Sequence, residues 1–267
     1  MFGHLVTVFG TIKYALLAFA TGAKIRVGLD NGRGWFLTDA VRDEGFGVRH
    51  EIEYWLEVAA LLDAPGSPTL EAPISSEDRK RGSELLTSVL GKPGILIGVH
   101  PSTGRYGPGR KWIPERFADA VNLLATERPV RCVVVGSRED HVDVVRMMRA
   151  TSHPVLNLTG RTSVGELGAV LEQCDVLIAN DGGVAHLAAA VGTPVVAVFG
   201  PSNDRAWRPL GSTVVAADLP CRPCLYRGFE TGLRNGCGTR QCMQLVAARD
   251  VARATEDLLV SAGASGT

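Results

Sequence analysis

The chain has 267 residues, 45% of them hydrophobic, and its 28 basic residues balance 28 acidic ones. Zero formal net charge leaves no electrostatic footprint for a polyanion, so no nucleic-acid partner is expected. No apolar run is long enough to cross a bilayer, and the length suits one large or two smaller α/β domains.

Residues 14–20 form a short apolar stretch with no basic region before it, so they read as a core helix rather than a signal segment. Residues 25–29 read as a strand, 36–41 as a short element and 51–62 as a helix. A linker follows over 63–76, marked by three prolines. This first piece, residues 1–75, offers too few strands for a sheet of its own. From Lys92 onward the pattern becomes regular. Strands are expected at 95–99, 130–135, 155–158, 176–179, 195–199 and 214–216. Helices are expected at 114–125, opened by Pro114, at 139–150, and from the capping box Ser163-x-x-Glu166 to 171. Another begins near Val184, and an amphipathic one spans 250–260 before a frayed end at 261–267. Alternating strands and helices imply an α/β fold with a parallel sheet covered on both faces.

In an open parallel sheet, ligands bind beyond the carboxyl ends of the strands. Four loops qualify. After the strand at 95–99, Ser102 and Thr103 offer hydroxyls and Gly104 allows close approach. In the basic stretch 105–112, Arg110 or Lys111 supplies positive charge for a diphosphate. After 130–135, Glu139 supplies a carboxylate suited to ribose hydroxyls. After 155–158, the turn 159–162 ends on Thr162, where a base could be lined. After 176–179, Asp181-Gly182-Gly183 turns sharply into a helix whose free N–H groups and positive dipole end attract phosphate. His186, a few residues on, can add a donor. Plainer roles exist for each: Glu139 as a first-turn acid, Asp181 as a helix N-cap, Lys111 and Trp112 as a helix approach with an exposed cation. Agreement of four loops on one edge favours a nucleotide-diphosphate site. Neither a Walker A loop nor G-x-G-x-x-G is present. With no paired-aspartate metal motif, cationic side chains and a helix end would have to neutralise a leaving diphosphate.

Cys132 and Cys174 sit in apolar contexts and read as small buried side chains. Cys221-x2-Cys224-x12-Cys237-x4-Cys242 places four thiols within 22 residues. Zinc is chemically plausible there, but the last spacing is loose for a zinc ribbon, and disulfides or free thiols fit the same residues.

The segments HPSTGRYGPGRKW, VVVGSRED and VLIANDGGVAHLAAAVGTPVVAVFGP, with the late cysteines, resemble glycosyltransferase family 9, the bacterial heptosyltransferases. The resemblance covers about residues 15–260. It implies a GT-B-like fold: a complete Rossmann-type sheet at 76–267 that binds a nucleotide sugar, and an incomplete acceptor-side domain at 1–75. It further implies inverting transfer of a heptose-like sugar from an ADP-heptose type donor to a lipopolysaccharide or related lipid-linked glycan. No metal or other cofactor is implied. The location would be cytoplasmic, with peripheral contact at the inner membrane. By motif, Ser102, Thr103 and Lys111 resemble diphosphate-binding residues, Glu139 the ribose contact and Thr162 the base lining. Asp181, Gly182, Gly183 and His186 resemble positions that hold the sugar and phosphates.

One departure stands out. The family's first strand and its aspartate-bearing loop, thought to supply the general base, have no counterpart, so the chain is expected to start about half a domain late and expose apolar surface. Asp30 and Asp39 are carboxylates in the first piece, but nothing marks either as a substitute. Alternatives are therefore a nucleotide-sugar-binding remnant without catalysis, a nucleotide-sugar epimerase on the same fold, or a zinc-stabilised interaction module.

Overall fold

Short strands that are apolar at every position cannot face water on either side, and they become the interior of a parallel sheet. The computed structural model describes residues 4–7, 12–32, 34–104, 107–224 and 237–264, with the side chains of 4–7, 12–15 and 262–264 outside that description. Two units result: Met1–Thr69 with Arg205–Trp207, and Leu70–Asp204 with Arg208–Thr267.

The first unit contains β1 (His4–Thr7), α1 (Ile12–Ala20), β2 (Ile25–Asp30), β3 (Asp39–Arg42) and α2 (Glu51–Ala60). Its three strands pair in parallel in the order β1-β2-β3. The expectation that this piece could not form a sheet is thus corrected; β1, only four residues long, carries too little pattern to be read. Its core is Val27, Val41, Tyr54 and Val58. The reading of α1 as a core helix is corrected too. Among its described side chains only Ala18 is buried, while Leu16, Leu17 and Phe19 are exposed.

The second unit begins with α3 (Ser76–Leu86), a polar helix that pattern reading missed. Ser75 caps it by accepting the Asp78 N–H at 3.0 Å. Then follow β4 (Ile95–His100), α4 (Pro114–Glu127), β5 (Val130–Val134), α5 (His141–Ala150), β6 (Val155–Asn157), α6 (Val164–Glu172), β7 (Val176–Asn180) and α7 (Gly183–Ala190). β8 (Val195–Phe199), β9 (Thr213–Ala216), α9 (Gln241–Gln244) and α10 (Ala248–Ala264) complete the unit; between β8 and β9 in the chain comes α8 (Asp204–Trp207), whose residues Arg205–Trp207 group with the first unit. α10 runs past the expected fraying point at 261; residues 265–267 lie outside the described residues.

The six strands are all parallel, in the order β6-β5-β4-β7-β8-β9. Alternate residues serve opposite faces. Ile97, Val134, Ile178 and Val196 pack with Phe117, Met147 and Val251 of α4, α5 and α10. On the other face, Leu96 and Val133 pack with Leu86 and Val170 of α3 and α6, and Leu177 and Val195 with Ala185 and Ala188 of α7. α3 and α6 approach so closely that a Cβ on Gly82 would stand 2.8 Å from the Ala169 Cβ. The chain leaves β4 outward through β5 and β6, then returns to β7 on β4's other side. The order therefore reverses between β4 and β7, which is where open α/β sheets place their ligands. Among the described residues, no helix is long and apolar enough to cross a membrane.

Candidate functional site

At that reversal point lies a cleft of about 450 Å³. The loop after β4 supplies Thr103 and Gly104, the turn after β5 supplies Ser137 and Asp140, and Thr162 precedes α6. Gly182 and Gly183 line it at the start of α7, with Leu167, Val184 and Leu187 as an apolar wall. No side chain caps α7. Ala185 N–H already bonds the Gly182 carbonyl at 3.1 Å, and the first turn of the helix, at Gly183 and Val184, meets the cleft with the positive end of the dipole. Small residues at 182 and 183 keep that approach open.

The carboxylate turned into the cleft is Asp140, not Glu139. Residues Arg138–Asp140 form a 3-10 turn with reciprocal capping: Ser137 N–H and Oγ donate to Asp140 Oδ2 at 2.7 and 2.9 Å. Glu139, its neighbour in the turn, is exposed and is not among the residues lining the cleft. His100, at the end of β4, places Nε2 3.7 Å from Asp140 Oδ2. Burial alone would raise the Asp140 pKa, but the adjacent His100 imidazole and the polar groups around it, Ser137 above all by its two hydrogen bonds, outweigh burial and hold the carboxyl well below the usual carboxylate range. His100 and Asp140 are both buried, and His100 Nδ1 and Asp140 Oδ1 have no hydrogen-bond partner. Both residues line the cleft and form its polar side with Ser137.

The two described cations of the 105–112 stretch, Arg110 and Lys111, are held by acids. Arg110 Nη1 lies 3.1 Å from Asp181 Oδ2, and Ser202 Oγ donates to the same oxygen at 2.6 Å. Asp181 is therefore no N-cap; Gly182 occupies that position. Lys111 Nζ lies 2.6 Å from Asp143 Oδ2, which also accepts from Ser102 Oγ at 3.0 Å. So Ser102 and Lys111 do meet, but at a buried aspartate of α5. Lys111 opens onto a separate cleft of about 280 Å³, shared with Arg146 and Arg240. Trp112 is fully buried, donates Nε1–H to the Val246 carbonyl at 3.1 Å and packs edge-on against Phe117. Asn180, also fully buried, accepts the Trp112 N–H at 2.9 Å and donates to the Ser102 carbonyl at 3.2 Å. Arg105 and Tyr106 lie outside the described residues.

Of the nine residues expected to form the site, Thr103, Thr162, Gly182 and Gly183 share the main cleft. Ser102 and Asp181 are buried beneath it in polar networks, and Lys111 faces the second cleft. His186 is half-buried on α7 and, like Glu139, lines neither cleft. Sequence reading missed His100, Asp140, Asp143, Asn180 and Ser202. Ser137-x-x-Asp140 carried a signal, because a hydroxyl followed three residues later by an acid marks a turn that aims the acid back at the chain.

Cys132 and Cys174 are buried as expected, and burial pushes both thiols up to about 12. Cys221, Cys224, Cys237 and Cys242 are free thiols, and no metal-holding group of three or more such side chains occurs among the described residues. The loop 225–236 between them lies outside those residues. In the first unit, a cleft of about 500 Å³ lies at the carboxyl ends of β2 and β3, lined by Asp30 and Asp43. Asp30 Oδ1 accepts the N–H groups of Gly32 and Gly34 at 2.8 and 2.7 Å, and Asp39 does not line this cleft.

The sequence pattern of glycosyltransferase family 9 (heptosyltransferase) matches residues 2–231. The chain belongs to glycosyltransferase family 9. This family 9 chain is 29% identical over 213 residues to lipooligosaccharide heptosyltransferase 2 of Haemophilus influenzae, covering 75% of itself and 61% of that protein. Across the curated relatives it matches, it spans 34–61% of their own length. Its fold is GT-B-like. The glycosyl transferase family 9 structure from Veillonella parvula superposes with a TM-score of 0.73 at 24% identity, over 97% of this chain and 74% of that one. The structure titled ADP-heptose lps heptosyltransferase II from E. coli gives a TM-score of 0.70 at 21% identity, over 98% and 78% of the two chains.

Proposed function

We propose that this chain binds a nucleoside diphosphate sugar in the cleft between β4 and β7 and serves transfer of the sugar, a heptose carried on ADP, to a lipopolysaccharide-type glycan. The observation that carries this reading is the convergence of the uncapped α7 start, with Gly182 and Gly183, on the Thr103–Gly104 loop at the strand-order reversal. Each part of the donor then has a chemical match. The diphosphate meets the α7 amides and the Thr103 hydroxyl. The ribose hydroxyls meet the side of the cleft lined by His100, Ser137 and Asp140. The base lies against Leu167, Val184 and Leu187, with Thr162 at its edge.

As the sugar leaves, negative charge develops on the diphosphate, and fixed amides with a positive helix end stabilise it without reorganising. Transfer with inversion is a single displacement in which the acceptor hydroxyl loses its proton to a base. Asp30 lines the cleft of the first unit with Oδ1 held by two glycine amides, and nothing singles it out as that base. The names of the relatives support heptose as the sugar and ADP as its carrier. A lipid-linked acceptor would bring the protein to the cytoplasmic face of the inner membrane as a peripheral visitor. In this reading residues 76–267 form the donor domain and 1–75 the acceptor side.

The test pairs calorimetry with a transfer assay. ADP should bind, and ADP-heptose with a heptose-deficient core glycan should yield product whose new linkage, by NMR, is inverted. A protein that binds no ADP and makes no product would refute the proposal; a retained anomeric configuration would refute its stereochemistry.

A further inference from the structure

A buried carboxylate is the last group expected beside a site for anions, yet Asp143 lies next to the donor loop and holds its lysine. Lys111 Nζ is 2.6 Å from Asp143 Oδ2, and Ser102 Oγ adds a hydrogen bond to the same oxygen at 3.0 Å. Ser102 adjoins Thr103 and receives the Gly104 N–H at 3.4 Å, so Asp143 sits directly beneath the loop that lines the main cleft. Lys111, one residue before the buried Trp112, opens instead onto the second cleft with Arg146 and Arg240. Arg110, the other nearby cation, is similarly held by Asp181.

We propose that Asp143 is an internal counter-anion that parks Lys111 outside the donor cleft and competes with the diphosphate for it. This rests on the reading of the main cleft as a nucleotide-diphosphate site. A diphosphate arriving at α7 attracts the Lys111 ammonium, whose four-carbon stem is flexible enough to swing once its ion pair yields. Breaking that pair, or sharing the lysine between two anions, weakens diphosphate binding relative to a site with a free lysine. The parked pair therefore sets an upper limit on affinity for the diphosphate part of donor and product. It leaves contacts to ribose and base untouched. The benefit is release: a nucleoside diphosphate product leaves a site whose cation has an internal partner to return to. Asp143 acts through Lys111 and is a positioning residue.

The experiment measures ADP and adenosine binding calorimetrically to wild type, Asp143→Asn, Lys111→Met and the double variant. Asparagine keeps the Ser102 hydrogen bond and removes only the charge. Asp143→Asn should bind ADP about tenfold more tightly with adenosine unchanged, and the gain should vanish in the double variant. ADP binding that is unchanged or weaker in Asp143→Asn, with adenosine binding intact, overturns the proposal alone. A gain that persists without Lys111 overturns it as well. If wild type binds none of ADP, GDP, UDP and CDP, the nucleotide reading falls and the counter-anion role falls with it. Should Asp143→Asn not fold, wild type still decides. With lysines 13C-methylated and Lys111 assigned by the Lys111→Arg variant, ADP should shift the Lys111 signal and adenosine should not; an ADP-saturated protein with an unmoved Lys111 signal overturns the proposal.

Discussion

Replacing Asn180 by leucine should be among the most damaging single changes in the second unit: it removes no charge, but it takes away two hydrogen-bond partners and adds volume where there is no room. Asn180 is fully buried at the end of β7 and ties two loops together through backbone groups. Leucine would leave the Trp112 N–H and the Ser102 carbonyl buried without partners. Each orphaned backbone group costs about 1–3 kcal/mol, partly offset because the amide itself no longer needs burial. The net loss is then about 2–4 kcal/mol, and at roughly 2–4 °C per kcal/mol for a unit of this size the melting temperature should drop by about 5–15 °C. Urea unfolding followed by tryptophan fluorescence gives the free energy, and calorimetry the melting temperature. Asn180→Asp is the informative companion, since it keeps the acceptor for Trp112 but sets an oxygen against the Ser102 carbonyl. If Asn180→Leu unfolds within about 0.5 kcal/mol of wild type, the bridge is not what holds these loops, and the argument is refuted.

Two further outcomes are expected. The Asp140 pKa is lower folded than unfolded, so its stabilising contribution is complete above the unfolded value of about 4 and fades as pH falls toward the folded one. Asp140→Asn should accordingly be less stable than wild type at pH 7, with the gap narrowing at pH 3.5; equal gaps in urea midpoints at both values would contradict this. Gly82→Ala should destabilise by about 1–3 kcal/mol despite alanine's better helix propensity, because its Cβ would stand 2.8 Å from the Ala169 Cβ and 3.1–3.2 Å from backbone atoms of 169 and 170. A gain in melting temperature would show that α3 and α6 can part freely.

Periodicity made most of the second unit readable. Strands such as β7 and β8, buried at every position, leave only one interpretation once turns bracket them. α3 escaped because it buries only Gly82 and Leu86, so its sequence has almost no apolar stripe to detect. β1 escaped for its brevity. At the site, the glycine-rich turn announced itself through residues that only close backbone approach requires. Side-chain direction did not. Whether Glu139 or Asp140 faces the cleft turns on a single 3-10 turn, where one residue of phase reverses inside and outside. Asp143 and Asn180 were invisible for another reason: their partners lie 32 or more and 68 or more residues away, and no local pattern encodes such a distance.

Three consecutive residues, Arg110, Lys111 and Trp112, are fastened to three different places: the loop after β7, the body of α5, and the end of β7 together with the Val246 carbonyl before α10. Because neighbouring side chains point in divergent directions, no rigid shift can preserve these attachments when the chain is lengthened or shortened there. An inserted or deleted residue would put every attachment out of phase together. Homologous chains should therefore vary in length before this tripeptide and keep its spacing to Pro114 constant.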